Sequence, residues 1–112
     1  VNKSRAKGTA WAAAIVKYLI DQGWPHAETR DLHGNKDRGD IAGLIGVMIE
    51  AKNEKTITLA QYANEVETQT ANDNASIGAA WIKRPRHTDP GKGYVLIDGA
   101  TFTQLLKDAG YQ

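Results

Sequence analysis

The sequence predicts a single α/β domain with a mixed central sheet covered by helices on both faces, in the order helix, three strands, helix, two strands, helix. Three observations carry that prediction. Several segments repeat their apolar residues at intervals of three and four, as a helix with one buried face requires. Shorter apolar segments between them are bounded by Gly, Pro, Asn or Asp, as strands between turns are. The chain has 112 residues, 41% of them apolar and 24% charged, which suffices for one hydrophobic core and is ordinary for a globular protein.

Trp11, Ala14, Ile15, Tyr18 and Leu19 define the first helix, which Asp21-Gln22-Gly23 stops, with Pro25 just beyond. Thr9 reads as its N-cap. A capping box on Thr9 needs Glu or Gln three residues later, and that position is Ala12. His26 to Leu32 reads as a short strand and His33 to Gly39 as a polar loop. Asp40 to Gly43 and Val47 to Asn53 form a hairpin around Leu44-Ile45-Gly46, with Gly46 at the left-handed position that ends a three-residue loop. That turn pairs Gly43 with Val47 and therefore sets Asp40 opposite Glu50.

A second helix, Thr58 to about Thr70, carries Leu59, Tyr62, Ala63 and Val66 inward, with Thr56 or Thr58 as cap and Gln61 on a solvated face. Ile77 to Ile82 is an apolar strand, Arg84 to Gly93 a loop rich in Pro and Gly, and Tyr94 to Ile97 another strand. A last helix, about Ala100 to Ala109, stops at Gly110.

Composition removes several classes of function. Without cysteine there is no disulfide, thiolate zinc site or cysteine nucleophile. Ala10 to Ile20, the longest apolar stretch, is broken by Lys17 and falls short of the roughly 20 residues that cross a bilayer. The start of the chain lacks the pattern of a secretory signal, so a cytoplasmic protein without membrane contact is expected. His26, His33 and His87 have no metal-ligand spacing, and Gly91-Lys92-Gly93 lacks the flanking strand and helix of a phosphate loop, so no nucleotide cofactor is expected. Trp11, Trp24 and Trp81 read as packing residues. Net charge is only +1, but its distribution is uneven: Lys3, Arg5 and Lys7 stand in a segment free of acids, and Lys83, Arg84, Arg86 and Lys92 are opposed locally by Asp89 alone.

Residues two apart on a strand share a face, so Glu50 and Lys52 project together and Val47, Ile49 and Ala51 project oppositely. The hairpin register adds Asp40 to the first face. Carboxylates directly opposite across two strands stand about 5 Å apart and repel. Lys52 offsets one charge; a divalent cation between the carboxylates offsets the rest and keeps both deprotonated. Hard oxygen ligands with positions left for water and phosphate suit magnesium, and a phosphodiester is the natural substrate of such a site. The cation acidifies water and neutralises charge on the phosphoryl group, while Lys52 positions the attacking water or steadies the transition state. A Glu-x-Lys by itself is ordinary on a solvated strand face. Here Ile41 and Val47 to Ile49 mark a strand buried on both sides, where charges need a reason.

Asp40 followed by Glu50-Ala51-Lys52, between two helices, resembles the PD-(D/E)xK nuclease superfamily. Arg5-Ala6-Lys7-Gly8-Thr9, Asp37-Arg38-Gly39-Asp40-Ile41-Ala42-Gly43, Val47-Met48-Ile49-Glu50-Ala51-Lys52-Asn53 and Ala79-Ala80-Trp81-Ile82-Lys83-Arg84 look like the Holliday-junction-resolvase-like endonucleases of actinobacterial phages, over nearly the whole chain. The resemblance implies a restriction-endonuclease-like fold and Mg2+, with Mn2+ able to substitute, ligated by Asp40, Glu50 and the backbone carbonyl of Ala51. It implies Lys52 as the catalytic lysine and a homodimer acting on branched DNA, in the host bacterial cytoplasm for a phage protein. Lys3, Arg5, Lys7, Arg38, Lys83, Arg84 and Arg86 would then meet DNA phosphates. One position departs from the pattern: relatives carry a Glu on the first helix where this chain has Ala12. That leaves open a catalytically silent junction-binding module. Independently of Ala12, the resemblance to other small members of the superfamily leaves open a nicking endonuclease for damaged or mismatched duplex. Glu28, on a strand distant from that helix, is the candidate for a substitute carboxylate. The resemblance also sets a second role for Gln61 beside the solvated face: some nucleases of the superfamily use a polar residue early in the second helix at the active-site edge.

Overall fold

A computed structural model of the chain describes residues 3–30 and 37–112, with side chains from residue 7 onward. It contains α1 (Lys3–Asp21), β1 (Glu28–Thr29), β2 (Ile41–Ala42), β3 (Val47–Lys52), α2 (Leu59–Asn72), β4 (Ile77–Ile82), β5 (Tyr94–Leu96) and α3 (Gly99–Asp108), with one 3-10 turn at Pro90–Lys92. This is the expected α/β order of helix, three strands, helix, two strands, helix. The five strands form one mixed sheet in the order β1-β2-β3-β4-β5, with β3 and β4 parallel and the other neighbours antiparallel.

Alternation along β3 and β4 sorts side chains onto two covered faces. Trp11, Ile15 and Leu19 of α1 pack with Ala27, Ile41 and Ile49 on one face, with Val47, Ala51 and Trp81 at the margin. Tyr62 of α2 packs with Ala80 and Ile82 on the other, flanked by Val66 and Leu96. The parallel register sets Glu50 beside Ala80 and Lys52 beside Ile82, so both charged residues lie on the α2 face. Trp11 and Trp81 serve packing as expected: Trp11 Nε1 donates to the Trp81 carbonyl at 2.9 Å, Trp81 Nε1 donates to the Pro90 carbonyl at 3.0 Å, and Tyr18 meets the Trp81 ring edge-on. Trp24 lies at the surface, half exposed.

The hairpin has the register that its turn dictates. Ile41 pairs with Ile49, and Gly46 takes φ +78°, a conformation that L side chains rarely adopt. Its carbonyl then accepts the N–H groups of Ser76 and Ile77 at 2.9 and 3.0 Å, tying the turn to the start of β4.

Other boundaries differ from expectation. α1 begins at Lys3, so Thr9 lies inside the helix and is not its N-cap. Lys3 to Lys7 contain no proline or β-branched residue, and Lys, Arg and Ala carry the helix past Gly8. The capping-box argument for a carboxylate at Ala12 falls with that cap. β1 is only Glu28–Thr29; the end of the expected strand, Asp31 and Leu32, and the loop residues His33 to Lys36 lie outside the described residues. α2 runs two residues past its expected end, to Asn72. α3 has no buried residue although its pattern is amphipathic, and Phe102 and Leu105 are exposed. Among the described residues no helix is long and apolar enough to cross a membrane.

Candidate active site

Asp40 stands one residue before β2, where that strand stops accompanying β3. Its N–H donates to the Ile49 carbonyl at 2.9 Å and its carbonyl accepts the Arg30 N–H at 2.7 Å. Beyond this point the outer edge of β3 has no strand partner among the described residues, and the Asp40 carboxylate takes that role: Oδ2 accepts the Ala51 N–H at 2.8 Å. In an extended strand the N–H and C=O of one residue leave by the same edge. The Ala51 carbonyl is therefore turned to the edge where Asp40 sits. On the opposite edge the Lys52 carbonyl accepts the Lys83 N–H at 2.8 Å, continuing the contact with β4.

Gly39 allows the close approach of this segment to β3. It has φ +90°, and a Cβ there would stand 2.6 Å from Met48 Sδ and 2.9 Å from the Ile49 carbonyl oxygen. Asp37 fixes the preceding turn: Oδ1 accepts the Gly39 N–H at 2.9 Å, Oδ2 accepts Gln69 Nε2 at 2.8 Å, and its backbone carbonyl accepts Asn72 Nδ2 at 2.9 Å. Arg30 adds a second tie to α2, pairing with Asp73 at 2.8 Å while it donates to the Arg38 carbonyl at 2.8 Å. The end of α2 thereby grips both sides of the segment that delivers Asp40.

Glu50 is 8% exposed, and its Oε2 is buried without a hydrogen-bond partner. Burial, then the neighbouring Asp40 charge, push its carboxyl up to about 8 despite the opposing pull of Lys52. Burial also raises Asp40, against the stabilising bonds from Ala51 and Glu50. Two desolvated acids side by side cannot both ionise cheaply, so without a cation the pair holds a proton near neutrality. A partnerless carboxylate oxygen beside a second carboxylate and an outward-facing carbonyl is a donor set that fits a hard divalent cation. Among the described residues no group of three or more His, Asp and Glu side chains is placed to hold a metal, so backbone or water oxygen must complete the shell.

Lys52 completes the constellation. Its ammonium pairs with Glu65, lies 3.8 Å from Glu50 Oε1, and sits 5.0 Å from the centre of the Tyr62 ring. Burial alone would lower its pKa, but the Glu65 bond and the Glu50, Glu65 and Glu54 charges outweigh that and raise it, so Lys52 stays cationic. Glu65 is lowered in turn, first by the Lys52 bond. The Tyr62 hydroxyl donates to Glu54 at 2.5 Å.

The structure thus brings together Asp40, Glu50, Ala51 and Lys52, as the sequence predicts. A hollow of about 510 Å³ opens beside Ala51 and Lys52 and is lined also by Lys7, Gly8, Asn53, Lys55 and Gln61; the Asp40 and Glu50 carboxylates do not line it. Ala12 is buried at 6% exposure, one helical turn past Gly8 and so on the same side of α1. α1 covers the face of β3 opposite to Glu50 and Lys52. Glu28 is exposed on the edge strand β1, opposite Ala42, and is no substitute for a carboxylate at Ala12.

Of the basic residues, Lys7 is exposed at the hollow, and Lys83 follows Lys52 across the ends of the parallel pair. Arg84 lies 5.8 Å from the centre of the Tyr94 ring. Arg86 is exposed with φ +65°, and Arg38 is exposed two residues before Asp40. The side chains of Lys3 and Arg5 lie outside the described residues.

Asp37, Glu65 and Gln69 are site neighbours that sequence reasoning missed. Glu65 and Gln69 follow Tyr62 by three and seven residues, the spacing of its buried face, and that was the available signal. Gln61, for which the sequence leaves a solvated face and a place at the active-site edge, is exposed, lines the hollow beside Lys52 and donates to Glu65 at 3.1 Å. Comparison with protein-family models, curated proteins and solved structures finds no match to this chain.

Proposed function

We propose that this chain is a magnesium-dependent endodeoxyribonuclease of the PD-(D/E)xK type with a restriction-endonuclease-like fold, hydrolysing phosphodiester bonds in branched DNA as a homodimer. The observation that carries the reading is the junction of β2 and β3: a buried carboxylate with a partnerless oxygen, Glu50, and a half-buried one, Asp40, meet an outward-turned carbonyl, with a lysine held charged alongside. Asp40, Glu50 and the Ala51 carbonyl would hold Mg2+, or Mn2+ in its place. Bound there, the cation supplies charge neutralisation at the phosphoryl group and acidifies water. Lys52 contributes a point charge with three donors, able to orient an attacking water and to offset charge on the phosphoryl oxygens. Glu50, raised when no cation is present, must release its proton as the cation enters, which couples binding to pH. Lys7, Lys83, Arg84, Arg86 and Arg38, with Lys3 and Arg5 at the start of α1, are assigned to DNA phosphates, where charge rather than base identity is read.

Ala12 favours a second reading, a module that binds junctions without cutting them. Incubating this chain and its Ala12→Glu variant with Mg2+ and a panel of DNA (four-way junction, mismatched duplex, perfect duplex) separates the readings. The nuclease reading expects the variant to cut the junction at least about tenfold faster than the duplexes. Cutting of the mismatched duplex alone moves the assignment to a nicking enzyme, and junction binding without cutting by either protein moves it to the silent module.

A further inference from the structure

Lys52 stands between two carboxylates and leans toward one. It pairs with Glu65 on α2 and lies 3.8 Å from Glu50 Oε1 on its own strand, while Glu50 Oε2 is buried with no partner. An ammonium and a desolvated carboxylate within reach attract more strongly as the surroundings become less polar. Glu65 is what diverts that attraction. Gln61 Nε2 holds Glu65 Oε1 at 3.1 Å, and the Tyr62 ring flanks the lysine, so the diversion is built into one face of α2.

We propose that Glu65 is a positioning residue that holds the Lys52 ammonium on the α2 side, leaving Glu50 open to a divalent cation. This rests on the reading of Asp40 and Glu50 as the cation site. Without Glu65, the Lys52 head group swings onto Glu50, closes an ion pair with it and competes with the cation. Glu67 supplies a control on the same helix: it carries the same charge but lines a separate hollow between α2 and α3, with Thr70, Leu96 and Thr101.

The test uses the full chain and its Glu65→Gln, Glu65→Asp and Glu67→Gln variants. Two quantities are read: Mn2+ affinity by electron paramagnetic resonance, and the Lys52 ammonium resonance in proton–nitrogen correlation spectra. Gln keeps the shape of Glu and the site is half-exposed, so Glu65→Gln folds; Asp withdraws the carboxylate by one methylene as a second, milder displacement. Glu65→Gln is expected to weaken Mn2+ binding roughly tenfold, the usual effect of losing an outer-shell partner, with Glu65→Asp intermediate and Glu67→Gln near the parent. The Lys52 resonance is expected to move in Glu65→Gln and to stay in Glu67→Gln. Equal weakening by Glu65→Gln and Glu67→Gln, or an unmoved Lys52 resonance in Glu65→Gln, overturns the proposal while leaving the cation site standing. A parent chain that binds no Mn2+ overturns the cation site and this proposal together.

Discussion

The Asp40 carboxylate accepts the Ala51 N–H at 2.8 Å, filling the place on the edge of β3 that a strand residue would otherwise take. One side chain therefore closes the hydrogen bonding of the sheet and supplies half of the carboxylate pair. These two roles separate by mutation. Asp40→Asn keeps an oxygen that accepts the Ala51 N–H, so its urea midpoint is expected to stay near the parent's, while Mn2+ affinity falls by about tenfold or more. Asp40→Ala leaves a backbone donor unmatched and is expected to lose about 1–3 kcal/mol of stability as well. Equal stability losses in the two variants would mean that the Ala51 bond is not what Asp40 contributes to the fold.

Glu50 gives the protein a pH dependence with a definite sign. Its folded-state value of about 8 lies above the 4.5 of an ordinary glutamate, so the folded state binds the proton more tightly than the unfolded state does. Stability associated with this group is fully present below about 4.5 and is lost as pH rises toward 8. Without divalent cation, the melting temperature is expected to fall between pH 5 and pH 8, with Asp40 contributing in the same direction, and Glu50→Gln is expected to flatten the slope. Added Mg2+ is expected to protect more at pH 8 than at pH 6, because less proton has to be expelled. A melting temperature that rises over this range in the absence of cation would contradict the burial of the pair.

Gly39 is the hinge that lets Asp40 reach β3. A methyl group there meets Met48 Sδ and the Ile49 carbonyl in a backbone conformation that disfavours it. Gly39→Ala is expected to cost about 2 kcal/mol or more in urea unfolding and to weaken Mn2+ binding together with it. A stable Gly39→Ala with lowered affinity would instead separate placement of Asp40 from packing.

The hairpin is legible in the sequence alone. Gly46 dictates the turn, the turn dictates the register, and alternation then puts Glu50 and Lys52 on one face with Asp40 beside them. The first strand and the start of α1 were less legible, because β1 is short and a run of Lys, Arg and Ala continues a helix without any apolar signal. Glu65, Gln69 and Asp37 stayed hidden for a different reason. A polar residue at an inward helical position looks like a solvated one until its partner is known, and here the partners lie 13 and 32 residues away. The exposed apolar residues of α3 teach the converse: an amphipathic pattern reports a face, not whether anything covers it.

The most direct test of the central claim is cleavage of a synthetic four-way DNA junction with Mg2+ by Ala12→Glu, compared with the same chain carrying Lys52→Ala or Glu50→Gln. Each added substitution is expected to slow cleavage by about a hundredfold or more while junction binding persists. Undiminished cleavage in either double variant would place the chemistry elsewhere in the molecule and contradict the account.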